Sequence, residues 1–150
     1  MISFSNLNCC FNGSLAYIYI WFSKNQKIVY VGQTNNRKGT LGRAIEHISE
    51  TGTLRKQFEE KYGQKLENVE DLYLLSFPLP PKYEFICIES AYRLAVEYNV
   101  QIFLRELRNR VNPVFNIISR VTYTDIASQK IIKDIANKIA TDFLSTYSLA

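Results

Sequence analysis

Ala16-Tyr17-Ile18-Tyr19-Ile20-Trp21-Phe22, then Ser23-Lys24-Asn25-Gln26-Lys27, then Ile28-Val29-Tyr30-Val31-Gly32 is the stretch on which the fold turns. Its first part is rich in β-branched and aromatic residues, the composition of a strand. The middle is a polar turn, and the last part returns as a second strand, so an antiparallel hairpin is expected. Alternation puts Tyr17, Tyr19 and Trp21 on one face and Ile18, Ile20 and Phe22 on the other. On the partner strand Tyr30 points with Ile28 and Gly32, opposite to Val29 and Val31. One face therefore gathers several tyrosines. Taken alone, that is cross-strand aromatic packing, each pair contributing about 0.2–1 kcal/mol.

Downstream, Asn35-Asn36-Arg37-Lys38-Gly39 reads as a loop. Thr40 is the expected cap of a helix through about Ser49, with Leu41, Ile45 and Ile48 on its buried stripe. Leu54, Phe58 and Tyr62 predict a second helix over 53–62, ended by Gly63. Leu72 to Phe77 reads as a third strand, stopped by Pro78, Pro80 and Pro81. From Tyr83 to about Asn109 a helical pattern runs without glycine or proline. Pro113 ends it, and Val114 to Ile118 follows in extended form. A last helix over about 125–147, capped by Thr124 with Asp125 in its first turn, buries Ile131, Ile135, Ile139 and Phe143. The order β-β-α-α-β-α-(β)-α predicts an α/β (α+β) fold. Its expected frame is a small, three-stranded, mainly antiparallel sheet flanked by helices, with an extra amphipathic helix at 123–148.

A chain of 150 residues fits one domain spanning 1–150, and 47% hydrophobic content supplies a core for it. Charged residues at 21% are near the ordinary globular share, which excludes wholesale disorder. A net charge of +4 and a pI near 8.9 suit a polyanion such as nucleic acid, without deciding the matter. Cys9, Cys10 and Cys87 have no zinc spacing, and an odd count with an adjacent pair points to a reducing compartment. Met1 to Phe11 carries no basic residue ahead of an apolar stretch, unlike a signal peptide. No apolar run approaches the roughly 18 residues that span a bilayer. The expectation is a cytoplasmic protein that does not enter membranes.

The next candidates lie on the helix after the hairpin. Arg43 and His47 are four apart, so their side chains share a face. A guanidinium offers planar, bidentate recognition of a phosphate. A neutral imidazole can accept or relay a proton near physiological pH. Glu89 is an acid within the otherwise apolar Ile86-Cys87-Ile88-Glu89-Ser90-Ala91-Tyr92. A carboxylate so placed needs a partner, either a hard divalent cation or Arg93 one turn on.

These residues, in this order, resemble the GIY-YIG nuclease superfamily over roughly residues 16–118. Tyr17-Ile18-Tyr19 stands where the family has Gly-Ile-Tyr, with Tyr17 in place of the glycine, and Tyr30-Val31-Gly32 matches Tyr-Ile-Gly. Arg43 and His47 match the arginine and histidine of the family's first helix, after a loop a few residues long for it. Leu54 to Gly63 is similar to the segment before the third strand. Ile88-Glu89-Ser90 resembles the stretch with the metal-binding glutamate, and Pro113-Val114-Phe115-Asn116 the closing element. The interval from Glu89 to Asn116 exceeds that of compact members, which makes Glu97 a rival ligand.

The resemblance implies a metal-dependent endonuclease that hydrolyses phosphodiester bonds in nucleic acid, most readily DNA. Glu89 would hold one Mg²⁺ or Mn²⁺ ion, which would polarise the phosphate. Arg43 would offset charge on the phosphoryl oxygens. Tyr19, Tyr30 and His47 are all candidates for taking a proton from the attacking water. A free tyrosine titrates near 10, so the metal, Arg43 or His47 must shift it. Tyr17, Gly32, Lys38 and Asn116 are the expected substrate contacts. Lys24, Lys27, Arg37, Arg55 and Lys56 add positive charge, while Arg105, Arg108 and Arg110 equally suit a solvated helix end. No DNA-reading motif is evident, which leaves DNA shape, a partner protein or a homodimer through the C-terminal helix to supply specificity. The competing reading is a non-catalytic nucleic-acid-binding or regulatory module that retains the fold.

Overall fold

The computed structural model describes residues 7–120 and 122–150; residues 1–6, part of the N-terminal stretch read above, lie outside the described residues. Strands β1 (Tyr17–Ser23) and β2 (Ile28–Thr34) form the antiparallel hairpin that the alternation predicts. The register sets Tyr19 opposite Gly32 and Trp21 opposite Tyr30. Strand β3 (Tyr73–Pro78) pairs antiparallel with the other edge of β1.

A fourth strand corrects the three-stranded expectation. The extended segment after Pro113 contributes β4 (Asn116–Ile117), which runs parallel to β2. Asn116 N–H donates to the Lys27 carbonyl and Ile118 N–H to the Val29 carbonyl, at 2.7 and 2.9 Å. The sheet is mixed, in the order β3-β1-β2-β4. So short a parallel strand has no period of its own to read, and only its extended form is visible in the sequence.

Helices cover both faces, which is why β1 is apolar on both. Ile18, Ile20, Phe22, Val29 and Val31 pack against helices α4 (Ala91–Leu107) and α5 (Lys130–Leu149). Tyr19, Trp21, Ile28 and Tyr30 pack on the other side with Ala44 of α1 (Gly39–Ile48) and with Leu54 and Phe58 of α2 (Thr53–Tyr62). Helix α2 ends at Gly63, whose φ of +65° is the left-handed conformation expected of a glycine stop.

Three helical expectations change. In α1 the buried residues are Gly39, Thr40, Gly42, Ala44 and His47, whereas Ile45 is 67% and Ile48 38% exposed. Thr40 is no cap; its hydroxyl meets that of Ser76 at 2.6 Å. The pattern from 83 to 109 is broken into the short α3 (Tyr83–Ile86) and α4. Ser90 caps α4 by accepting the N–H of Arg93, at 3.0 Å, so residues 87–89 are outside any helix. In α5 the buried stripe is Ile132, Ala136, Ile139, Phe143 and Tyr147, while Ile131 is exposed and Ile135 half-buried. The change follows from the start: Asp125–Ser128 is a separate 3-10 turn, Thr124 makes no side-chain cap bond, and the helix begins at Lys130. The apolar stripe of α5 is covered within the chain, against α4 and the sheet, and is not left as a free face. No described helix is long and apolar enough to cross a membrane.

Candidate active site

The site is assembled around small residues that let bulky ones approach. Gly32 lies beneath the ring of Tyr19; a Cβ there would come within 2.6 Å of Tyr19 Cε2. Gly39, at φ +58°, starts α1 against the N-terminal segment, where a Cβ would sit 2.9 Å from Phe11 Cα. With the Thr40–Ser76 bond, this close seating turns Ala44 and His47 toward the sheet. Arg43, half-buried, is left at the rim, one turn before His47.

There the predicted residues meet. The Tyr19 hydroxyl bonds to His47 Nε2. Arg43 is close enough for its charge to act on the Tyr19 hydroxyl, and it holds an ion pair with Glu46, three residues on. The His47 ring lies between Tyr19 and Tyr30, its centroid 5.4 and 5.3 Å from theirs. From α4 comes Glu97, close enough that its charge acts on both tyrosines and feels that of Arg43. Tyr19, Tyr30, Arg43 and His47 are thus brought together as the sequence predicts, with Gly32 beneath them.

Other expected residues lie elsewhere. Glu89 is exposed in the break between α3 and α4, neither buried in a helix nor paired with Arg93, and it does not join the cluster. Arg93 instead donates to the carbonyls of Phe85, Cys87 and Ile88 and to Gln33 Oε1. The run of apolar letters around Glu89 resembles a buried helix, but Ser90 starts a new one. Tyr17 is buried and gives its hydroxyl to the Asn8 carbonyl, at 2.9 Å, away from Arg43 and His47. Lys38 is exposed at the N-cap of α1. Asn116 pairs with Ile28 at the far end of β2 and lies beside Tyr62. Glu46, the partner of Arg43, escapes the sequence reading; the i,i+3 spacing is its one signal there.

Burial dominates the electrostatics. It pushes the Tyr19 hydroxyl far above its usual range, with Tyr30 adding to the effect and Arg43 opposing it. Tyr30 is pushed up to about 12 by burial and by Glu97. His47 is held down to about 4, first by burial and then by the Arg43 charge. Burial also acts against the charge of Arg43, but the bond to Glu46 and the nearness of Tyr19 more than offset it. The Glu97 carboxyl is raised to about 8 by burial, with Arg43 pulling the other way. At neutral pH the cluster therefore holds a neutral imidazole against a neutral phenol, beside a fixed cation.

Glu97 is 8% exposed and makes no hydrogen bond or ion pair with the described residues. A buried carboxylate in that position is a fit donor for a hard cation, which compensates the burial by charge. No group of three or more His, Cys, Asp or Glu gathers among the described residues. Fewer than three such donors suit an ion that keeps most of its waters better than they suit zinc.

The family model of the GIY-YIG catalytic domain matches residues 15–78. That match covers the hairpin, α1, α2 and β3 and ends before α4. Neither the curated proteins nor the solved structures contain a match to this chain.

Proposed function

From a chain that carries a GIY-YIG catalytic domain, we propose a metal-dependent endonuclease that hydrolyses phosphodiester bonds in nucleic acid, with DNA as the first substrate to test. The observation that carries this reading is Glu97, a buried carboxylate without a hydrogen-bond partner, near Arg43 and two tyrosines. We assign the cation to Glu97 and not to Glu89, whose exposed position puts it outside the cluster.

Arg43 presents its guanidinium at the rim, where it binds the scissile phosphate and offsets charge on the phosphoryl oxygens. Glu46 holds that side chain in place until phosphate competes for it. The Tyr19 oxygen is bonded to His47 Nε2 near the Arg43 charge; burial keeps its proton on in the metal-free protein, so a bound cation would have to lower its proton affinity before it acts as a base. Tyr19 is then the group that draws the proton from the attacking water, and His47 the relay. Tyr30 packs against His47 and fixes its ring. Glu97 would hold a divalent ion, Mg²⁺ or Mn²⁺, which would supply Lewis-acid polarisation of the phosphate.

The test is a nicking and cleavage assay on duplex, branched and single-stranded DNA and on RNA, with Mg²⁺ or Mn²⁺ and an EDTA control. Arg43→Ala and Glu97→Gln are each expected to lower the rate by roughly 100-fold or more, while Glu89→Gln stays within about twofold. Cleavage lost in Glu89→Gln but kept in Glu97→Gln would overturn the assignment. No cleavage of any substrate by folded, metal-supplied protein would establish the binding module instead.

A further inference from the structure

One buried polar side chain next to the catalytic cluster is left unsatisfied by the fold. Gln101 of α4 is fully buried, and neither its Oε1 nor its Nε2 has a hydrogen-bond partner. Buried amides are almost always satisfied, by protein or by an ordered water or ion. Gln101 lies four residues after Glu97, so the two share a helix face. Helical side chains lean toward the helix N-terminus, which brings Gln101 back over the turn that carries Glu97.

The neighbours leave these two side chains to each other. Arg93, one turn before Glu97 on the same face, is committed to three backbone carbonyls and to Gln33. Arg43 is committed to Glu46. Glu97 and Gln101 make no direct bond, and both polar atoms of the Gln101 amide lack a hydrogen-bond partner. An acid and an amide on successive turns, both buried and the amide without a partner, form a polar patch whose chemistry suits a hydrated divalent cation: the carboxylate supplies charge and the amide oxygen accepts from a water of the hydration shell.

We propose that Gln101 is a positioning residue for the cation site of Glu97, anchoring the hydration shell on the helical turn after the ligand. This rests on the cation assignment to Glu97 made above. It also explains why a glutamine occupies a position that an aliphatic residue would fill at less cost to stability.

The experiment is Mn²⁺ binding to the full chain without nucleic acid, followed by electron paramagnetic resonance, together with thermal melts in EDTA. Gln101→Met keeps the length of the side chain and removes both polar atoms. It is expected to bind Mn²⁺ roughly tenfold more weakly, with a Tm in EDTA equal to or above that of wild type. Gln101→Glu, which adds a second carboxylate, is expected to bind at least as tightly as wild type, and Glu97→Gln to lose binding. Wild-type affinity in Gln101→Met, with binding lost in Glu97→Gln, overturns the role of Gln101 and leaves the Glu97 site standing. Equal binding by wild type and Glu97→Gln, or none by wild type, overturns the cation site and Gln101 with it. Should Gln101→Met fail to fold, Gln101→Glu decides: affinity below wild type overturns the inference, and equal or tighter binding supports it.

Discussion

Glu97 and His47 pull the stability of the metal-free protein in opposite directions with pH. Glu97 titrates near 8 in the fold against an ordinary 4.5, so between those values the folded chain holds a proton that the unfolded chain has released. Stability is therefore lost as pH rises from about 4.5 through 8. His47 titrates near 4 against 6.5, so the unfolded chain takes up the proton first, and stability is lost as pH falls from about 6.5 to 4. A tenfold difference in proton affinity between folded and unfolded chain corresponds to about 1.4 kcal/mol, which makes either contribution a few kcal/mol. In EDTA, Glu97→Gln should melt above wild type at pH 8.5 and lose that advantage by pH 5; a constant gap in differential scanning calorimetry across this range would contradict the buried carboxyl. Gly32 is as constrained on steric grounds. Gly32→Ala drives a methyl into the Tyr19 ring, so a loss of about 1–3 kcal/mol in urea unfolding is expected, together with loss of cleavage.

At the scale of elements, the hairpin is the most legible part of the chain and α1 the least. A strand advertises itself through a period of two and β-branched composition, and β1 and β2 follow that reading in register as well as in face. In α1 the apolar letters Leu41, Ile45 and Ile48 outvote the small ones, yet the helix buries Gly39, Gly42 and Ala44. Close approach to an aromatic layer selects small residues, and hydrophobic periodicity gives them no weight. The break before α4 is hidden for a related reason: Ser90 works as a cap through its hydroxyl, which a run of apolar neighbours masks. Glu97 is visible in the sequence as an acid in a helix but not as the one near Arg43, because that depends on how α4 crosses the sheet. The reversal of α1 has a measurable consequence. Ile45→Gln should change stability by no more than about 0.5 kcal/mol, while Ala44→Leu overpacks the tyrosine face and costs about 1–3 kcal/mol. Equilibrium urea unfolding of the two variants separates the faces, and a large loss in Ile45→Gln with none in Ala44→Leu would restore the orientation expected from sequence.

The whole molecule places its chemistry across a division that the family match does not cross. Residues 15–78 hold the tyrosines, Arg43 and His47, but Glu97 and the apolar layer over Ile18, Ile20, Phe22, Val29 and Val31 come from α4 and α5. Helix α4 packs on the sheet beside α5, whose Phe143 and Tyr147 pack against the rings of Phe22 and Phe115. The C-terminal helix thus acts on the site without touching it, by fixing the height and rotation of the helix that carries Glu97. That dependence predicts two results. A chain ending at residue 120 keeps α4 but loses the α5 side chains that complete the apolar layer on that face, and should give neither a cooperative melt nor dispersed amide resonances. Phe143→Ala, which empties a fully buried position, should cost about 3–5 kcal/mol while the folded fraction keeps its activity, since Phe143 lies in the apolar layer on the opposite side of the sheet from Tyr19 and Ala44. A fragment 1–120 that folds cooperatively would show α5 to be an accessory element, and the position of Glu97 would then have to be set by β2 and α4 alone.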